Sequence, residues 1–412
     1  MIPDSPLPLL ASAEEHFLIP GPREGMRLFL RRLGAAGKSR GQSVLYVHGA
    51  TFPSALAVAH RIEGRSWRDA LCEAGFDVWA FDFYGFGHSD RYPEMAGPAD
   101  AGPPLGLAAE ASRQLAATVA FILAHDRRTS LSFISHSWGS MSVGLFAAQH
   151  AAAVDRWVMF APLARREPLR YETMPSGPAW RLISIEAQWD RFVEDVPKEE
   201  RPVLSRPHFD AWAKAYLETD PESATHTPSA VKTPSGPFVE ILRAWHGELA
   251  YDPSKVLAPI AIIRGAWDGL IQDADARWLF DAFSRSTNKR DIKIARGTHL
   301  MLLEDERGAL WNASINFLSG DEVIKPLSEQ PGKSPVPARK ATNRDAHMPD
   351  NEPARTDIPG YNPGAPEVAK SPISMDDWEK LKQSAFFSDE DVTYLSRPCK
   401  TSATRMNTQS FE

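Results

Sequence analysis

The sequence predicts an α/β fold, a mostly parallel sheet wound on both faces by helices and interrupted once by a helical insertion. Three observations carry this. Short apolar runs alternate with helix-period segments, and the runs end in glycine- or serine-rich turns. The alternation stops near Leu163 and resumes after Ala250. Strand–helix–strand order lays the strands side by side in parallel, with helices covering both faces.

The elements follow in order. Ser43-Val44-Leu45-Tyr46-Val47 is a buried-strand pattern that ends in His48-Gly49. Residues 66–72 have helical character and stop at Gly75. Asp77-Val78-Trp79-Ala80-Phe81 is the next strand, followed by the turn Tyr84-Gly85-Phe86-Gly87. Residues 107–125 combine helical spacing with strong helix formers. A strand from Leu131 to Ile134, a helix from Trp138 and a strand from Trp157 to Phe160 complete the first core segment, residues 1–162. Between 163 and 250 no strand pattern is legible. Prolines, arginines and Trp180, Trp189, Trp212 and Trp245 dominate, which reads as a helical cap. The core resumes over 251–320, with strands at 259–263 and 291–294 and helices at 274–283 and 307–318. Prolines from Pro326 to Pro372, mixed with charges, mark residues 321–373 as a linker with disorder-type composition. A short amphipathic segment, 374–412, follows, with Ser374 as its N-cap.

Composition bounds the function. The 412 residues are enough for a large core and a second module. A formal net charge of −7 argues against a protein that binds nucleic acid through its phosphates. Only Cys72 and Cys399 are present, which excludes a disulfide framework or a four-thiolate zinc site and fits the cytoplasm. The first residues lack the basic and apolar regions of a secretory signal, and no apolar run is long enough for a transmembrane helix. No cofactor, metal or membrane partner is expected. The composition leaves the oligomeric state open.

The chemistry concentrates in Ser135-His136-Ser137-Trp138-Gly139, where an apolar strand breaks into a helix. A serine on such a bend stands exposed above the strand's carboxyl end, and its neighbours must be small. The pattern is G-x-S-x-G, with Ser135 replacing the first glycine. A serine hydroxyl needs a base. His299 follows the last strand, and Asp268 follows the one before it. Both stand at strand carboxyl ends, where open α/β sheets bind ligands. The chain order Ser137, Asp268, His299 is the order of this architecture. Asp273 and Asp275 are rival acids, but they fall at a helix start where caps are expected. Acyl chemistry also needs backbone donors for an oxyanion. The amide of Trp138 is one candidate. The other is the amide of Ala50, with Thr51 as runner-up, in the loop that His48 and Gly49 shape. Gly139 is needed for close packing, and His136 packs beside the bend.

Taken together, these motifs resemble the α/β-hydrolase superfamily over residues 15–320. Phe81-Asp82-Phe83-Tyr84-Gly85-Phe86-Gly87-His88-Ser89 is similar to that superfamily's D-x-R-G-x-G-x-S turn, with Tyr84 where arginine is usual. The resemblance implies a serine hydrolase acting on small-molecule esters or lactones through Ser137, His299 and Asp268. The first 320 residues also resemble the serine esterases of bacterial resistance cassettes, some of which open macrolide lactones. Residues 357–396 resemble the N-terminal segment of protoglobins, without the helix that carries the haem-ligating histidine.

Other functions stay open at this level. The same residues could serve an amidase, a thioesterase or a carbon–carbon hydrolase, and a non-catalytic binding module could use the same fold. Dehalogenases and epoxide hydrolases usually place an aspartate at the bend, where this chain has Ser137. The tryptophans of the insertion, with Met174, suggest a roomy, partly apolar pocket.

Overall fold

A computed structural model describes residue 11, residues 13–167 and residues 174–320. The linker at 321–373 and the protoglobin-like segment at 374–412 lie outside the described residues.

Ten strands and eight α-helices are formed among the described residues. The first core segment contains β1 (Glu15–Pro20), β2 (Arg27–Leu33), β3 (Ser43–Val47), α1 (Trp67–Glu73) and β4 (Asp77–Asp82). It continues with α2 (Ala108–Asp126), β5 (Leu131–His136), α3 (Gly139–Gln149) and β6 (Val154–Phe160). The insertion holds β7 (Trp180–Ser184), α4 (Ile185–Val193), α5 (Arg206–Leu217), β8 (Ala230–Pro234) and α6 (Gly236–Trp245). The second core segment adds β9 (Ile260–Gly265), α7 (Asp273–Ala282), β10 (Lys289–Ile294) and α8 (Arg307–Ser319).

Eight strands make one sheet in the order β1-β2-β4-β3-β5-β6-β9-β10. The pairs β1/β2 and β2/β4 are antiparallel, and every pair from β4 to β10 is parallel. The sheet interior explains the apolar runs. Every residue of β3 and β5 is buried, as a strand covered on both faces requires. β6 and β9 are neighbours although the whole insertion runs between them in sequence, so the insertion projects from the carboxyl end of the parallel strands. The ends of the helices follow local chemistry. Ser66 and Asp69 form a capping box at α1, and Gly320 closes α8 in a left-handed conformation with φ 65°. Among the described residues no helix is long and apolar enough to cross a membrane.

One expectation is corrected. The insertion is not free of strands, because β7 and β8 pair antiparallel in a ribbon of their own. Its charges hid it. Lys232 points inward, with Nζ donating to the Met95 carbonyl and to Glu222 at 2.8 Å each, so β8 does not alternate apolar with polar. The N-terminal hairpin of β1 and β2 was also unread. Arg31, fully buried and paired with Glu14 at 3.1 Å, puts a charge inside the sheet edge.

Candidate active site

Four loops at the carboxyl ends of the parallel strands meet at Ser137. The residue sits between β5 and α3 with φ 53°. That backbone region is uncomfortable for a residue with a Cβ, at a cost of about 1–3 kcal/mol. The surroundings enforce it. The Ser137 amide donates to the Phe160 carbonyl at the end of β6 (2.9 Å), and the Ser137 carbonyl accepts from the Ser140 amide (2.9 Å). Ser135 fills the place of the first glycine of the motif without crowding, and its Oγ accepts from Trp157 Nε1 at 2.9 Å.

Gly139 has no such latitude. A Cβ there would stand 2.5 Å from the His48 carbonyl oxygen and 2.9 Å from that of Val47. Both are backbone atoms, so α3 and β3 would have to separate. Gly139→Ala is expected to lower stability by about 1–3 kcal/mol, the usual range for overpacking, and to slow any reaction at Ser137, because the displaced atoms belong to both loops of the site. Thermal melts and initial rates check this. A variant with unchanged melting temperature and rate would show that the two loops can part freely.

His299 joins serine to carboxylate. Its Nε2 is 2.8 Å from Ser137 Oγ, and its Nδ1 is 3.1 Å from each oxygen of Asp268. With Nδ1–H donating to Asp268, Nε2 is left to accept from the serine hydroxyl. All three residues are buried. Asp268 Oδ1 also accepts from the amides of Leu270 and Ile271, at 2.9 and 3.3 Å, which fixes the carboxylate plane. The rival acids are engaged elsewhere. Asp273 pairs with Arg264 and Lys293, and Asp275 with Arg166.

The loop after β3 is held from below. His48 Nε2 accepts from the Phe83 amide at 3.0 Å. Asp82, at the end of β4, accepts from the Ser54 amide and hydroxyl and from the His88 amide. The Asp82 turn therefore braces the stretch that carries Gly49, Ala50 and Thr51. A Cβ on Gly49 would lie 3.3 Å from Ser137 Cβ, which places this loop directly over the serine. Among the described residues, neither the Ala50 amide nor the Trp138 amide donates a hydrogen bond to a protein acceptor.

His136 packs beside the bend as expected, and further supporting groups join it that were not legible in the sequence. His136 hydrogen-bonds the His299 carbonyl through Nε2 at 3.1 Å and stacks on Phe160. Burial, and then His299, hold its pKa well below the ordinary value, so the ring is neutral and donates from Nε2. Glu304 receives the Thr298 amide and hydroxyl next to His299, and burial pushes its carboxyl up to about 8. From the insertion, Asp195 accepts from the Gly269 amide at 2.9 Å, beside Asp268. Burial and then the Asp268 charge raise it to about 7. Glu240 on α6 accepts through one oxygen from Trp138 Nε1 and from the Ala108 amide, both at 2.8 Å, and burial raises it to about 7. The signal for these groups lies in tertiary contacts that no local spacing encodes.

The cavity over Ser137 has a volume of about 10 Å³, room for about one water-sized group. Two tryptophans of the insertion are packing groups. Trp212 and Trp245 are buried, and Trp212 stacks on Tyr216 and meets the edge of Phe52.

Comparison with known proteins places this geometry. The model of the family described as "Serine aminopeptidase, S33" matches residues 55–306, more than half of the chain, a span that includes Ser137, Asp268 and His299. Similar solved structures include a carboxylesterase of Bacillus subtilis (13% identity, 76% of this chain and 94% of that one, TM-score 0.48). They also include a thermophilic esterase of Thermogutta terrifontis (16% identity, 74% and 98%, TM-score 0.47). A third is a monoacylglycerol lipase of Paleococcus ferrophilus (18% identity, 71% and 98%, TM-score 0.46). No curated protein matches the chain in sequence.

Proposed function

Because the chain belongs to the serine aminopeptidase (S33) family and has the α/β-hydrolase fold, we propose that it is a serine hydrolase that cleaves carboxylic esters through an acyl-enzyme. The observation that carries the reading is the continuous hydrogen-bonded line Ser137–His299–Asp268 beneath two uncommitted backbone amides.

The geometry sets the steps. Ser137 Oγ attacks the ester carbonyl carbon while its proton passes to His299 Nε2. Asp268 keeps Nδ1 protonated and stabilises the imidazolium that forms. The carbonyl oxygen, now an oxyanion, accepts from the amides of Ala50 and Trp138. His299 returns the proton to the departing alcohol. A water, deprotonated by the same nitrogen, then attacks the acyl-enzyme carbonyl, and the proton goes back to Ser137.

The insertion serves as the cap that shapes the acyl and alcohol sites. Arg191 on α4 stands in the cavity with Ser137, and α5 packs Trp212 onto Phe52 of the loop over the serine. Large-ring lactones and compact esters form the two arms of a substrate screen.

A fluorophosphonate probe should label the native protein stoichiometrically, with the adduct mapping to Ser137. The same protein should hydrolyse a panel of esters and lactones faster than the matching anilides and thioesters. Labelling without turnover on any ester would favour a binding module, and faster cleavage of aminoacyl anilides would make the enzyme a peptidase.

A further inference from the structure

Thr51 is buried beside Ala50 and lines the cavity over Ser137 together with His299 and Arg191. Arg191, from α4 of the insertion, donates through one nitrogen to Thr51 Oγ1 at 2.8 Å and to Gln188 Oε1 at 2.9 Å. A guanidinium carries donors only, so the threonine oxygen is the acceptor in that contact. The hydroxyl proton must then point elsewhere. Among the described residues, no protein acceptor takes it. The nearby space holds about one oxygen-sized group, and Ser137 borders it.

We propose that the Thr51 hydroxyl is a third donor to the substrate's carbonyl oxygen as it becomes an oxyanion, with Arg191 behind it as a positioning residue. The assignment rests on the serine-hydrolase reading above and extends it from backbone donors to a side chain. It also gives the insertion a part in the chemical step. Thr51 comes from the core and Arg191 from the insertion, 140 residues apart. The Arg191 contact orients the hydroxyl and polarises it. Burial lowers the guanidinium pKa to about 10, so it is still cationic at neutral pH, with its charge two hydrogen bonds away from the developing oxyanion. An interaction that strengthens only as charge develops acts on kcat rather than on KM.

The test compares Thr51→Val, which keeps the shape and removes the hydroxyl, with Thr51→Ser, which keeps the hydroxyl. Thr51→Val should lose about 10²-fold in kcat, as when one oxyanion donor is removed, with KM changed less than about threefold. Its affinity for a trifluoromethyl ketone, which forms a tetrahedral oxyanion on Ser137, should fall by a similar factor. Thr51→Ser should recover most of both. Arg191→Lys should lose about tenfold in kcat at unchanged KM. If Thr51→Val melts below the assay temperature, Thr51→Ala, which also lacks the hydroxyl, is read in the same way. Near-wild-type kcat in a folded Thr51→Val or Thr51→Ala protein would overturn the proposal, as would equal losses in Thr51→Val and Thr51→Ser, or a loss confined to KM. Ser137→Ala separates the two levels. If it stays active, the hydrolase reading itself falls; if it is dead while Thr51→Val turns over normally, only the third donor falls.

Discussion

Replacing Ser137 with alanine is expected to lower kcat by at least about 10⁴-fold while leaving the melting temperature within a few degrees of the native value. The fold does not depend on the Oγ atom. The bend at φ 53° is fixed by the Ser137 amide and carbonyl, which alanine retains. What disappears is the atom 2.8 Å from His299 Nε2. The loss should not grow when His299→Ala is added, because a base without its nucleophile does nothing. Steady-state ester hydrolysis by the two single variants and the double variant measures this. Losses that multiply would mean that the residues act independently.

Asp268→Asn should be nearly as severe, with kcat down by about 10⁴-fold. The carboxylate accepts from His299 Nδ1–H and from two backbone amides at once. An asparagine that keeps its oxygen toward the backbone amides turns its NH₂ group toward Nδ1. The imidazole then carries its proton on Nε2 and cannot accept from Ser137. Asp273→Asn is the matched control. Asp273 is exposed and its hydrogen bonds to Lys293 and Arg264 hold its carboxyl down at about 2. It faces away from the histidine, so its loss should leave kcat within a fewfold. Rates reversed between the two variants would move the acid to the start of α7.

The contrast between what was legible and what was not follows from the range of the interactions. β3, β5 and β9 were readable because strands covered on both faces must be apolar throughout, and a five-residue window contains that signal. Ser137, Asp268 and His299 were readable for a related reason. Ser137 and Asp268 follow such strands, and His299 follows the edge strand β10, so locating the strand locates the residue. β2 and β8 escaped because Arg31 and Lys232 point inward, each paired with a carboxylate outside its own strand. A buried charge breaks the hydrophobic period, and only the folded chain reveals its partner. Arg191, Glu240 and Glu304 were invisible for the same reason. A glutamate on a helix reads as solvated until the helix is placed. The tryptophans of the insertion were ambiguous, since large rings signal burial equally well in a pocket or in packing.

The doubly shared oxygen of Glu240 bears on how this protein could be re-engineered. One carboxylate oxygen ties α6 both to the first turn of α2 and to the indole of Trp138, the residue after Ser137. Anyone transplanting a foreign insertion to change substrate range would be tempted to exchange everything between β6 and β9. Such a chimera would cut the tether behind the bend and leave the indole N–H and the Ala108 amide to find new acceptors. α6 is therefore better treated as chassis than as cargo. A graft that keeps α4 with Arg191 and rejoins the native chain ahead of Gly236 keeps that mooring, and the exchangeable part of the insertion lies between α4 and Gly236.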